Sequence, residues 1–131
     1  MKVNRGRVPD VPSEQRGSTF TGEVWADPVL QGIPGVAVNT VFFPPGGRTF
    51  WHRHEQGQIL LVTHGHGYVR TREGEGTGVV SGDVIFFEAG EEHWHGAGDA
   101  SYLVHTAISL GATEWLEEVA EEDYRAAVGS T

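Results

Sequence analysis

The chain has 131 residues, with 18 acidic against nine basic side chains and a formal charge of −9, so it lacks the basic footprint that nucleic acid requires. Cysteine is absent, which excludes a disulfide framework and a thiolate metal site and leaves imidazole, carboxylate or amide as metal ligands. No apolar run reaches the length of a membrane span and no apolar stretch follows Lys2, Arg5 and Arg7, so the expected location is cytoplasmic, with no membrane and no nucleic acid as partner.

Residues 1–17 are polar, carry Pro9, Pro12 and Gly17, and read as a tail or arm that orders only against another surface. Residues 18–131 read as one domain. Thr19–Trp25 alternates weakly; Gly35–Phe43 is rich in valine and phenylalanine and stops at Pro44-Pro45-Gly46-Gly47. Thr49–His54 and Gln58–Thr63 follow, then Tyr68–Arg72 after the turn His64-Gly65-His66-Gly67. The charged, glycine-rich stretch Arg72–Gly78 predicts a hairpin tip or loop. Val79-Val80, Val84–Phe87, His93–Gly96 and Tyr102–Ser109 complete the series. Many short strands separated by turn residues predict an all-β barrel or sandwich. After Gly111 the pattern changes. Thr113 can cap a helix with Glu114 and Glu117 in its first turns, and Trp115, Leu116 and Val119 share one side at helical spacing. A C-terminal helix is expected over about 113–127, packed on the barrel.

Seven histidines stand at 52, 54, 64, 66, 93, 95 and 105. On a strand, residues two apart point to the same face, so His52 and His54 lie side by side as a cis pair of metal ligands would. His93-Trp94-His95 repeats the arrangement. His64 and His66 flank a turn glycine and are expected to be exposed polar residues. His95 shares a face with His93, and His105 shares one with Ala107 and Ser109. Inside a barrel, His95 and His105 are either proton shuttles or histidines satisfied by a neighbour.

Two stretches resemble the cupin motifs. Gly46 is followed after five residues by His52-Arg53-His54, then by Gln58 and, six residues on, Gly65. Gly82 is followed after five residues by Glu88, then by Gly90 and His93. Gln58 stands where the family has glutamate, Glu88 where it has proline, and Ala97 where it has asparagine. The resemblance covers about residues 20 to 110 and implies a jelly-roll β-barrel. It also implies one divalent metal ion per chain, manganese first, with iron, zinc, nickel or cobalt as alternatives. The implied ligands are His52, His54, Gln58 and His93. Gln58 can offer an amide oxygen but no negative charge, which leaves the full charge of the ion to act as a Lewis acid.

Within the family the chain is similar to small single-domain proteins that include the manganese-dependent hydroxynitrile lyases. The similarity is closest in Gly90–Gly96 and extends to Phe20-Thr21-Gly22, Gly82-Asp83-Val84 and Trp115–Tyr124. It implies a Lewis-acid lyase acting on small hydroxyl or carbonyl compounds, with His95 or His105 moving the hydroxyl proton. The expected apolar wall of the pocket is Val41, Leu60, Phe87 and Ala107. A non-heme metal-dependent dioxygenase, and a non-catalytic binding protein or sugar-acid isomerase, are the alternatives. A homodimer is expected, with Ser18–Ala26 pairing across subunits at an open sheet edge.

Overall fold

Twelve strands and one helix follow one another over residues 1–129, the residues described by the computed structural model; the last two residues of the expected 18–131 domain lie outside them. In chain order they are β1 (Glu14–Arg16), β2 (Phe20–Thr21), β3 (Val24–Ile33), β4 (Val36–Phe43), β5 (Arg48–Thr49), β6 (His52–His54), β7 (Gly57–Thr71), β8 (Gly76–Val80), β9 (Val84–Phe87), β10 (His93–Ala97), β11 (Leu103–Leu110), β12 (Thr113–Trp115) and α1 (Glu121–Gly129).

Every strand pairing is antiparallel, and together they form a nearly closed barrel. One sheet runs β1-β3-β4-β11-β7-β9. The other sets β7 between β8 and β10, and β10 continues to β5 and β6, with β2 beyond β5 and β12 beyond β6. β7 serves both sheets: residues 57–65 pair with β11 and residues 67–71 with β10. Gly65 stands where it passes from one to the other. Its φ is +82°, and a Cβ there would lie 1.9 Å from the Tyr102 carbonyl oxygen, so no other residue fits.

The alternation of β-branched and aromatic residues gives each sheet an inner apolar face. Val24, Phe43, Leu60, Val62, Val69 and Leu103 meet there as one core. A second apolar cluster lies outside β10: Trp51, Tyr68 and Trp94 pack under Val119, Tyr124 and Ala127 from the C-terminal segment. Burying each of the large side chains contributes about 2–3 kcal/mol. The Tyr124 hydroxyl donates to the Ala97 carbonyl at 2.8 Å, and the buried Arg48 guanidinium lies 4.2 Å over the Tyr124 ring.

The C-terminal expectation needs correction. The helix starts at Glu121, not near 113, and Thr113–Trp115 is a strand paired with His52–His54. Tertiary pairing overrides the capping signal at Thr113. The backbone of this segment binds β6, and Glu114 and Glu117 form ion pairs with Arg53 (2.6 Å) and Arg72 (2.7 Å) that hold it extended. The acidic run Glu121, Glu122 and Asp123 occupies the first turn of the actual helix, where carboxylates favour the helix dipole.

The N-terminal arm lies along β3 of its own chain. Asn4 donates to the Val29 carbonyl, the Val8 amide donates to Pro28, and β1 pairs with Val24–Ala26. Val24–Ala26 therefore has β1 on one side and β4 on the other. Phe20–Thr21, the other strand within Ser18–Ala26, pairs with β5 and stands at the end of its sheet.

Candidate metal centre

β6 and β10 place four imidazoles on one wall. In β6 the alternation turns His52 and His54 inward and Arg53 outward, where it meets Glu114 and Glu92. In β10 it turns His93 and His95 inward and Trp94 into the second core. The register sets His93 opposite His52, and their ring centroids are 4.3 Å apart. Gln58 at the start of β7 and His105 in β11 reach the same interior, and all six residues are buried.

Backbone and hydroxyl partners fix how these rings present themselves. The Nδ1 of His52 lies 2.9 Å from the Phe50 carbonyl oxygen, and that of His93 lies 2.8 Å from the Glu91 carbonyl oxygen. A carbonyl can only accept, so each Nδ1 carries the proton and each Nε2 is left as a bare lone pair. His54 Nδ1 lies 2.9 Å from Thr113 Oγ1. The Nε2 atoms of His52, His54 and His95 are buried without a hydrogen-bond partner. Orphaned buried lone pairs are costly in an apolar interior unless a cation meets them.

Electrostatics agree with a site for a cation. Burial pushes His52 well below the ordinary imidazole value, with the His93 charge adding to the effect. Burial likewise holds His54 at about 4 and His93 at about 3. All three are neutral at physiological pH and free to act as ligands.

Gln58 joins this cluster. Its Oε1 is 3.0 Å from His93 Nε2, and its Nε2 donates to Ser109 Oγ at 3.1 Å. With the His93 proton on Nδ1, Nε2 and Oε1 are two acceptors face to face. Either the amide turns its NH₂ to His93, or a cation lies between the two lone pairs.

Ring nitrogens of His52, His93 and His95 all lie within 4.8 Å of one another, and this group could hold a metal ion. His95, expected as a proton carrier, is thus one of the tight trio. His54, expected as a ligand, stands beside it, its ring centroid 5.0 Å from that of His52. His95 Nδ1 lies 2.9 Å from His105 Nε2. His95 is pushed well below the ordinary value by burial and by the charge of His105, and burial holds His105 at about 4.

A cavity of about 230 Å³ opens onto the cluster. Val41 and Ala107 line it as expected. Leu60 and Phe87 do not: both belong to the core behind the site, and Phe87 stacks on the His93 ring at 3.6 Å. Arg16, Asn39, Thr113 and Trp115 also line the cavity and were not expected there. For the last two, the alternation Thr113-x-Trp115 was the available signal. Trp115 lies 4.6 Å from the His52 ring. His64 lies on the exposed side of β7, with its Nδ1 at 3.1 Å from Thr63 Oγ1.

Comparison with known proteins fits this geometry. The cupin domain family matches residues 39–106. An (R)-mandelonitrile lyase of Granulicella tundricola is 42% identical over 112 residues, which are 81% of this chain and 86% of that protein. The crystal structure of a cupin-like protein of Thermotoga maritima is 38% identical, with a TM-score of 0.85 over 95% of this chain and all of the other. A polyketide cyclase of Streptomyces resistomycificus shares the fold at 20% identity and a TM-score of 0.73, over 95% of this chain and 91% of that one. With motif, barrel and buried histidine cluster in agreement, this chain belongs to the cupin family.

Proposed function

We propose that this chain is a metal-dependent lyase that cleaves and forms small hydroxynitriles. The observation that carries this reading is the His95–His105 pair: two buried, neutral imidazoles 2.9 Å apart, beside a histidine cluster fit for a cation. The similarity to an (R)-mandelonitrile lyase across most of the chain supports it.

His52, His54, His93 and Gln58 would hold one divalent ion, manganese first, and His95 shares the group that His52 and His93 form. Such an ion supplies a Lewis acid that lowers the energy of a negative oxygen or of cyanide. His95 and His105 handle the proton. One proton lies between His95 Nδ1 and His105 Nε2, and two tautomers follow. With the proton on His105 Nε2, His95 presents Nε2–H to a substrate oxygen or nitrogen. With it on His95 Nδ1, His95 presents a bare Nε2 that can accept a proton. In cleavage, the imidazole takes the hydroxyl proton, the oxygen lone pair forms the carbonyl, and the C–CN bond leaves with its electrons on cyanide. The imidazole then returns the proton to cyanide. No electron is gained or lost overall.

Val41, Ala107 and Trp115 give the substrate an apolar wall, and the cavity is sized for one small organic molecule. The experiment is mandelonitrile turnover by metal-loaded and metal-stripped protein. Turnover only in the loaded form is expected. Equal turnover in both would remove the metal from the mechanism.

We further propose a homodimer. Trp25, Phe42 and Tyr102 are exposed neighbours on one outer face, where Phe42 and Tyr102 stack at 6.0 Å, and such a contact would cover them.

A further inference from the structure

The cavity differs in charge from the rest of the molecule. The chain carries 18 acidic residues, yet among the described residues no carboxylate lines the cavity. One permanently charged side chain does: Arg16. Its position follows from strand register. Arg16 pairs with Val24 and Glu14 with Ala26, and both partners are buried in the core. Glu14 and Arg16 therefore stand on the inner side of the sheet, at its rim.

Arg16 is held but not saturated. Its Nη1 lies 2.6 Å from Glu14 Oε1, and the Glu14 side chain is 67% exposed. An ion pair this open to water is weakly held and readily exchanged. The remaining donors of the guanidinium form a planar fork suited to a carboxylate. Asn39 and Ser109 add neutral polar groups to the lining. Arg16 is thus the one permanently charged side chain on a lining of uncharged imidazoles and an amide, and an anion that displaces the exposed Glu14 carboxylate would meet a cation there.

We propose that this cavity binds small 2-hydroxycarboxylates, with the hydroxyl toward the histidine cluster and the carboxylate on Arg16. This deepens the lyase reading and rests on its metal centre. A 2-hydroxycarboxylate keeps the hydroxyl-bearing carbon of a hydroxynitrile and replaces the neutral nitrile by an anion. It would occupy the same cavity and exclude the neutral substrate. Arg16 is then the residue that sets the balance between the two ligand classes.

The test is titration calorimetry of metal-loaded protein with mandelate and with its neutral analogue mandelamide. Mandelate is expected to bind more tightly and to weaken as salt is raised. Arg16→Met should weaken mandelate by about tenfold and leave mandelamide unchanged, since one charge-assisted contact is lost. Glu14→Gln frees the guanidinium and should tighten mandelate; it carries the test if Arg16→Met fails to fold. Mandelate binding no tighter than mandelamide, or unmoved in both variants with metal content intact, overturns the proposal. Mandelonitrile turnover on the same samples reports separately on the lyase reading. Turnover without a mandelate preference overturns the role of Arg16 alone. A preference that Arg16→Met abolishes, in protein without turnover, supports this proposal and overturns the lyase.

Discussion

Thr113 Oγ1 lies 2.9 Å from Nδ1 of His54, so the C-terminal strand reaches across β6 and orients a histidine of the candidate metal centre. The contact fixes the ring that presents the unpartnered Nε2 of His54 to the interior. Partners of this kind typically contribute 10- to 100-fold in metal affinity. Thr113→Val keeps the shape and removes the hydroxyl. It should weaken metal binding by about tenfold in a chelator competition while the thermal midpoint of the metal-free protein stays within a degree or two. Unchanged affinity would show that Thr113 does not orient His54.

The ligand set itself is tested by removing it. In the His52→Ala, His54→Ala double variant, elemental analysis should find no bound metal, and circular dichroism should still report a folded β protein. The barrel keeps its shape because Val24, Phe43, Leu60 and Leu103 bury their own core without the histidines. Full metal occupancy in this variant would refute the assignment. His93→Ala should also lose the metal and in addition destabilise by about 2–4 kcal/mol, because the ring stacks on Phe87 at the floor of the site.

His105 offers a way to separate proton transfer from metal binding. It touches His95 and Phe43 and is not one of the three histidines whose nitrogens could jointly hold a metal ion. His105→Phe preserves aromatic packing against Phe43 and removes the partner of His95 Nδ1. Metal content should remain, and mandelonitrile turnover should fall about 100-fold or more, the usual contribution of a positioned acid or base. Retained turnover would leave His95 to act without a relay.

Buried neutral histidines make the metal-free protein sensitive to acid. His54, His93 and His105 sit at about 4, 3 and 4 in the folded protein, against an ordinary value of 6.5. Below pH 6.5 the unfolded chain takes up protons on these rings while the folded chain resists until near pH 4. The unfolded state then binds more protons, so stability is full above about pH 6.5 and falls as the pH drops toward 4. Urea midpoints of metal-stripped protein at about pH 7.5 and pH 5 measure it. A midpoint that does not move between them would contradict the burial of neutral rings. Metal binding should hold over this range and weaken only as the pH approaches 4, where protons begin to compete for the same Nε2 lone pairs.

The proposed dimer makes a separate demand. Phe42→Asp places a charge on the outer apolar face beside Trp25 and Tyr102. Analytical ultracentrifugation should show a dimer for the natural chain at micromolar concentration and a monomer for the variant. A monomer for both would remove the dimer, and a dimer for both would move its contact elsewhere.

His64-Gly65-His66-Gly67, expected as a turn, lies inside the continuous β7, but the all-β series of short strands and the inward direction of His52, His54, His93, His105, Ala107 and Ser109 were legible in the chain. They depend on local alternation and on turn residues, which act over a few positions. The tertiary structure alone decided which side chains meet. Nothing local to β10 says that His93 lies opposite His52, which groups His95 with both of them. Leu60 and Phe87 have the parity of pocket residues, yet neighbouring strands close over them and leave them in the core. Thr113–Trp115 has a spacing that fits a helix or a strand equally. The backbone of β6 and the guanidinium groups of Arg53 and Arg72, 60 and 41 positions upstream of Thr113 by number, settle it as a strand. Arg16 likewise becomes a cavity residue only because β1 folds back on β3. Each of these outcomes is set by long-range register and packing, which no window of neighbouring residues contains.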